Sequence, residues 1–199
     1  GPMSRGLGDV YKRQDMNKME TEYFRDNWKP DYDKFEYSGW KLLQQIRPKD
    51  QILDIGCGYN LFKERLGDRL YGIDPANGLA DEVVSWEDYV PKQKFNVYLA
   101  LGSLNFGTED EVEAQIKKLS EICKKGDRIY WRQNPGTGDH PWKGVESVRF
   151  YPWTIEKNYE WADKYGFWVR ECREDTGNRI YAEWFKGNVP VSSLHSVSY

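Results

Sequence analysis

QILDIGCGYN, residues 51–60 of this 199-residue chain, is the stretch on which the fold turns. An apolar run carries one acid, Asp54, and then breaks into Gly56 and Gly58 on either side of Cys57. A buried strand has no use for an aspartate at its end, and glycines weaken regular structure. The pair therefore marks a turn between a strand and a helix, where backbone N–H groups meet a ligand directly. About 20 residues on, Asp74 closes a second apolar run, RLYGID, at the place where a carboxylate can accept hydrogen bonds from the vicinal hydroxyls of a ribose. Together these features point to a nucleoside-containing ligand. Taken singly, Asp54 and Asp74 are also what an ordinary strand end or a turn before Pro75 contains.

Outward from this stretch, strands and helices alternate. Residues 31–45 carry Phe35, Tyr37, Trp40, Leu42 and Leu43 at helical spacing, and Pro48 stops that helix. Asn60 caps a short helix holding Leu61, Phe62 and Leu66, which Gly67 ends. DEVVSW, residues 81–86, is a short third strand, and FNVYLALGSL, residues 95–104, a long fourth one. The next helix starts at the cap Thr108, with acids in its first turn, lysines in its last and Gly126 as its stop. DRIYWRQ is the fifth strand. A loop of about 20 residues follows, long enough to suggest function. Thr154 caps the last helix. FWVRECRED and RIYAEWFKG then alternate across Thr176-Gly177-Asn178 as an antiparallel hairpin. The expected fold class is α/β: a doubly wound, mostly parallel sheet with a C-terminal antiparallel hairpin. Such sheets bind ligands at the carboxyl ends of their strands, where the strand order reverses.

Composition bounds the function. The chain is 39% apolar and 31% charged, which reads as one soluble globular domain. A net charge of −3 supplies no general attraction for nucleic acid. No apolar run approaches the roughly 20 residues of a membrane span. Cys57, Cys123 and Cys172 are sparse and odd in number, which suits a reduced cytoplasmic compartment. Two histidines, His140 and His195, build no zinc spacing, so no metal is expected. Gly1-Pro2 reads as a protease-site scar and SRGLGDVYKRQ as a cloning adaptor read as protein. Residues 1–15 are therefore set apart from a single domain at 16–188, whose residues 16–40 form a cover or lid, and residues 189–199 are expected to be a flexible tail.

Two details discriminate among nucleoside binders. A dinucleotide fingerprint wants a third glycine or alanine at position 61, where this chain has Leu61. The chain also ends in a helix and hairpin rather than a second mononucleotide half. ILDIGCGYN, YGIDPA and FNVYLALGSL resemble motifs I, II and IV of the class I S-adenosylmethionine-dependent methyltransferases, from about Lys41 to Gly187. That resemblance implies a seven-stranded, Rossmann-like sheet, with S-adenosylmethionine (SAM) lying across the ends of the first, second and fourth strands. It implies Asp54, Gly56, Cys57 and Gly58 near the methionine moiety, and Asp74 with Pro75 at the ribose. Ser85 and Trp86 would lie near adenine, and Leu101 and Gly102 near the sulfonium. Asn60 departs from the family's third glycine, and no acid is clearly placed for the adenine amine. LGSLNFG also lacks the motifs of amino-methylating and cytosine C5 DNA enzymes, which argues against base methylation of DNA.

The acceptor is expected to be a small molecule, with a protein as the other case. His140, in the long loop, is the one histidine at the expected substrate face. It reads either as an exposed loop residue or as a general base. Tyr23, Tyr32, Asn105, Asn134, Trp142 and Tyr151 are the candidate acceptor-pocket residues. Two other readings stay open: a SAM-binding enzyme of different chemistry, and a non-catalytic SAM-binding interaction module.

Overall fold

The computed structural model describes residues 18–136 and 144–191. Seven strands form one sheet: β1 (Ile52–Ile55), β2 (Leu70–Asp74), β3 (Glu82–Val83), β4 (Val97–Leu101), β5 (Arg128–Gln133), β6 (Phe167–Asp175) and β7 (Arg179–Lys186). Their order is β3-β2-β1-β4-β5-β7-β6. The first five are parallel, and β7 runs antiparallel to both β5 and β6. The strand order reverses between β1 and β4, so the ligand-binding crevice of an open α/β sheet belongs there.

The helices are α1 (residues 18–26), α2 (Leu61–Leu66), α3 (Glu109–Ile122) and α4 (Ile155–Lys164). Period-two alternation in the strands splits the core between two faces. Leu53, Tyr98, Ala100, Ile129 and Trp131 meet α3 and α4 through Val112, Ile116, Leu119 and Trp161. Ile52, Leu99, Leu101 and Tyr130 meet α2 and the preceding segment through Phe62, Leu66, Leu42 and Tyr32. Asp54 and Arg132 share the alternation of Ile52 and Tyr130. Two ionisable groups are thereby carried onto this second apolar face, just below the carboxyl edge.

The local start signals operate as the sequence suggests. Thr108 accepts from the Glu111 N–H, and Thr154 from the Lys157 N–H. The hairpin pairs Asp175 with Arg179 across Thr176–Asn178.

Several expectations need correction. Residues 31–39 form turns, and only the 3-10 segment Trp40–Gln45 is helical. The Asp175 carboxylate, from the distant hairpin, accepts the backbone N–H groups of Tyr37 and Ser38 and the Ser38 hydroxyl. The chain also passes so close to itself at Gly39 that a Cβ there would lie 2.0 Å from the Tyr32 carbonyl oxygen. These tertiary bonds replace those a helix would make. Asn60 adopts a left-handed conformation (φ 58°) and makes no side-chain cap. Its amide donates instead to the Leu79 carbonyl and the Asp81 carboxylate. The third strand has only two residues, and the fourth stops at Leu101 because Gly102 turns to φ +79°. Helix α3 ends at Ile122, with Cys123 as its C-cap, so Lys124 and Lys125 fall beyond its last turn.

Candidate functional site

At the carboxyl edge of β1, β2 and β4 opens a cavity of about 1030 Å³. Its floor is the turn after β1. The Gly56 and Cys57 N–H groups both donate to the Ile73 carbonyl, tying the turn to β2. Both glycines need their freedom here. Gly56 stands at φ +71°, and a Cβ on it would lie 2.3 Å from the Ser103 Cβ. Gly58 stands at φ +56°, and a Cβ there would meet the Trp28 ring at 2.8 Å. The missing side chains thus admit two neighbours of this chain, a serine from the β4 edge and a tryptophan from the roof.

Asp74 ends β2 at the wall of this cavity. Its carboxylate accepts from the Gly58 N–H at 2.9 Å, the Ala76 N–H at 2.8 Å and the Asn77 N–H at 2.9 Å. Burial raises its pKa, while those three bonds pull it down. A carboxylate offers about four acceptor positions, so about one stays open to a ligand hydroxyl. Asp54 lies behind the wall, almost wholly buried. Burial, together with repulsion from Asp74, pushes it up to about 7 against the attraction of Arg132.

Of the other sequence candidates, Pro75, Ser85, Trp86, Leu101, Gly102, Tyr32 and Asn134 line the cavity with Gly56, Gly58 and Asp74. The Trp86 indole N–H donates to the Gln115 carbonyl, which pins the ring against α3. Cys57 is buried facing β2, where its sulfur would be 2.8 Å from a Cβ on Gly72, and burial raises its thiol pKa. Tyr23, Asn105 and Tyr151 stand behind the wall, outside the set of lining residues. Asn105 acts as a clamp. Its amide donates to the Asn134 and Tyr151 carbonyls and accepts from the Asn134 N–H, joining three loops. His140 and Trp142 lie outside the described residues.

The roof comes from residues 20–35. Trp28 lies over Gly58 and packs edge-on against Tyr59. Phe24 meets Phe106, which in turn meets Phe150. Glu20 accepts from the Arg149 Nε at 2.5 Å, fastening α1 to the segment before α4. Among lining residues the sequence reading passed over are Arg132, Ser103, Phe106 and Glu20. Arg132 looked like one more polar residue in an alternating strand, and only its register opposite Leu101 places it here. The Ser103 hydroxyl and the Asn134 Oδ1 are buried with no hydrogen-bond partner among the described residues. Both line the cavity, and buried polar atoms without partners cost stability unless a ligand or water meets them. Contrary to the sequence expectation, the N–H groups of Gly56, Cys57 and Gly58 are all taken within the chain, so the turn offers a ligand its surface and not its donors. An acid with an open acceptor position and unpartnered polar atoms beside that turn fit a nucleoside ligand.

No family model and no curated protein matches the chain. Solved structures do. N-methyltransferase NodS from Bradyrhizobium japonicum, in complex with S-adenosylhomocysteine, is 12% identical with a TM-score of 0.55, over 87% of this chain and 98% of that one. Magnesium protoporphyrin IX methyltransferase from Synechocystis, with bound SAM, is 14% identical with a TM-score of 0.54, over 74% and 75%. A chain from a complex of the Haloferax volcanii Trm112 methyltransferase activator is 12% identical with a TM-score of 0.61, over 92% and 96%. By strand order, terminal hairpin and these likenesses, the chain has the class I SAM-dependent methyltransferase fold.

Proposed function

We propose that this chain is a SAM-dependent methyltransferase that acts in the cytoplasm on an oxygen or nitrogen of a small-molecule acceptor. The observation that carries the reading is the glycine turn and Asp74, side by side at the strand-order switch and opening on one large cavity. The solved methyltransferases of this fold that hold SAM or S-adenosylhomocysteine support it. No helix among the described residues is long and apolar enough to cross a membrane.

When bound, SAM supplies a methyl group already activated on sulfur, so the protein's task is to bind, align and exclude water. In this reading the turn at Gly56, Cys57 and Gly58 lies against the methionine end, its N–H groups being engaged within the chain, with Leu101 and Gly102 across from it. Asp54 sets the local charge from behind. Asp74 takes a ribose hydroxyl with its open acceptor position, and Pro75 shapes that corner. Ser85 and Trp86 flank the base. Residues 16–40 act as the lid, with Tyr32 and Asn134 facing the acceptor and Tyr23, Asn105 and Tyr151 holding those faces in place. His140 and Trp142 complete the acceptor side, with His140 as general base.

Calorimetry with SAM, S-adenosylhomocysteine and NAD tests the assignment. Either SAM compound at 100 times its dissociation constant should stabilise the fold by about 2.7 kcal/mol, whereas NAD should not bind. Asp74→Ala should weaken S-adenosylhomocysteine about 10- to 100-fold, the loss of a charge-assisted bond. Absence of a melting shift with both SAM compounds at millimolar concentration would sink the assignment. Binding without methyl transfer to any acceptor would favour a non-catalytic module.

A further inference from the structure

Arg132 is a buried charge without an ion pair. It is 6% exposed, and no carboxylate of the described residues comes within salt-bridge distance of it. Its Nη1 donates to the Ser38 carbonyl at 2.9 Å and its Nη2 to the Leu101 carbonyl at 3.3 Å. The Phe35 ring lies 4.1 Å from the guanidinium carbon, and the Tyr32 ring 6.0 Å. Of five N–H donors, two are used, and Nε has no partner among the described residues. Asp175, whose field reaches Arg132, already accepts from Tyr37, Ser38 and Thr176. Burial lowers the group to about 10, which leaves it charged at neutral pH. A guanidinium held out of water is costly unless something anionic meets it.

The neighbourhood shows where that partner would sit. Gly102 has no side chain, and its left-handed turn leaves a niche in the cavity wall. An atom at the Cβ position of Gly102 would be 3.7 Å from the Asn134 Nδ2 and 3.9 Å from both Nε and Nη2 of Arg132. Nε and Nη2 form one edge of the guanidinium fork, the edge that matches two carboxylate oxygens. Asn134 already turns its Nδ2, an N–H donor, towards this niche, while its buried Oδ1 lacks a partner among the described residues. Arg179, also buried and also lining the cavity, adds a second positive charge at this end.

We propose that the niche at Gly102 is a carboxylate-binding subsite, in which Arg132 holds the carboxylate through its Nε–Nη2 edge with the Asn134 amide beside it. The inference rests on the functional reading above for one of its two carboxylate sources, the amino-acid end of the nucleoside ligand. The other source is a carboxylate on the acceptor.

The test compares the full chain with Arg132→Gln and Arg132→Lys by calorimetry. S-adenosylhomocysteine carries the carboxylate, and 5′-methylthioadenosine keeps the nucleoside without it. Benzoate and benzamide are small probes that differ in charge. If the ligand's own carboxylate fills the niche, Arg132→Gln weakens S-adenosylhomocysteine about 10- to 100-fold and leaves methylthioadenosine unchanged. If the acceptor's carboxylate fills it, both nucleosides bind Arg132→Gln as they bind the parent. The parent saturated with S-adenosylhomocysteine then prefers benzoate to benzamide, and the variant loses that preference. Arg132→Lys, which keeps the charge but not the fork, should lose less than Arg132→Gln in either case. It also serves if Arg132→Gln does not fold, as judged by circular dichroism. Equal affinities of parent and folded variants for both nucleosides, with no preference for benzoate in the parent, would overturn the subsite. If the parent binds neither nucleoside, the methyltransferase reading fails by itself, and the benzoate preference of the ligand-free protein then decides the subsite.

Discussion

The floor and the roof of the cavity face each other across a few ångströms, but their parts come from very different distances along the chain. The Gly58 N–H meets Asp74 only 16 residues away, and Ala76 and Asn77 bond the same carboxylate from 2 and 3 residues away. The roof is tied by Glu20 to Arg149, 129 residues apart, and by Ser38 to Asp175, 137 residues apart. The floor is backbone held by backbone and one acid. The roof is aromatic surface held by side-chain bonds between distant elements. A site built this way can keep its nucleoside seat rigid while its cover varies, since each part stands on separate interactions.

The sharpest way to break the comparison is Gly56→Ala. A Cβ there combines a left-handed backbone with a 2.3 Å collision against Ser103. Urea denaturation should show a loss of about 4 kcal/mol, and nucleoside binding should fall with it. Gly126→Ala is the control, because Gly126 also has a positive φ (+91°) but has nothing within 4 Å of its Cβ position. It should cost only about 1 kcal/mol. Equal losses at the two positions would mean that the floor tolerates the added atom.

Asp175→Ala addresses the roof. It strips the acceptor from Tyr37, Ser38 and Thr176 and should cost about 3 kcal/mol. Hydrogen exchange should speed up in residues 31–39, while exchange at Gly56–Gly58 stays as in the parent. A uniform change across both segments would show that floor and roof are one cooperative unit.

The smallest effect expected comes from Asp54, on the floor side. Its folded pKa, pushed up to about 7, lies above the ordinary 3.8, so the native chain holds this proton more tightly than the unfolded one. The stability it contributes is complete below about pH 4 and is lost as pH rises towards 7. Asp54→Asn removes that titration. The fall in stability from pH 5 to pH 7 should become shallower by about 2 kcal/mol relative to the parent. Identical pH profiles would mean that Asp54 is as well solvated as a surface acid.

The parts legible in the sequence are those whose cause is local. Two threonine caps, alternating apolar strands, a tight hairpin and a glycine turn after an acid each act through neighbours a few residues away. They are enough to locate the strands along the chain and to place Gly56, Gly58 and Asp74 at one edge, while the strand order in the sheet comes from the tertiary structure. Residues 31–39 were misread as a helix because their apolar spacing is helical, whereas their N–H groups are captured by Asp175 from the other end of the chain. Asn105 looked like a ligand contact and is a clamp, because its partners Asn134 and Tyr151 arrive only when three loops converge. Arg132 gave no signal at all. Its charge becomes unusual only when β4 and the roof segment exclude water from it, and burial of a charge is a property of the assembled fold that no spacing along β5 encodes.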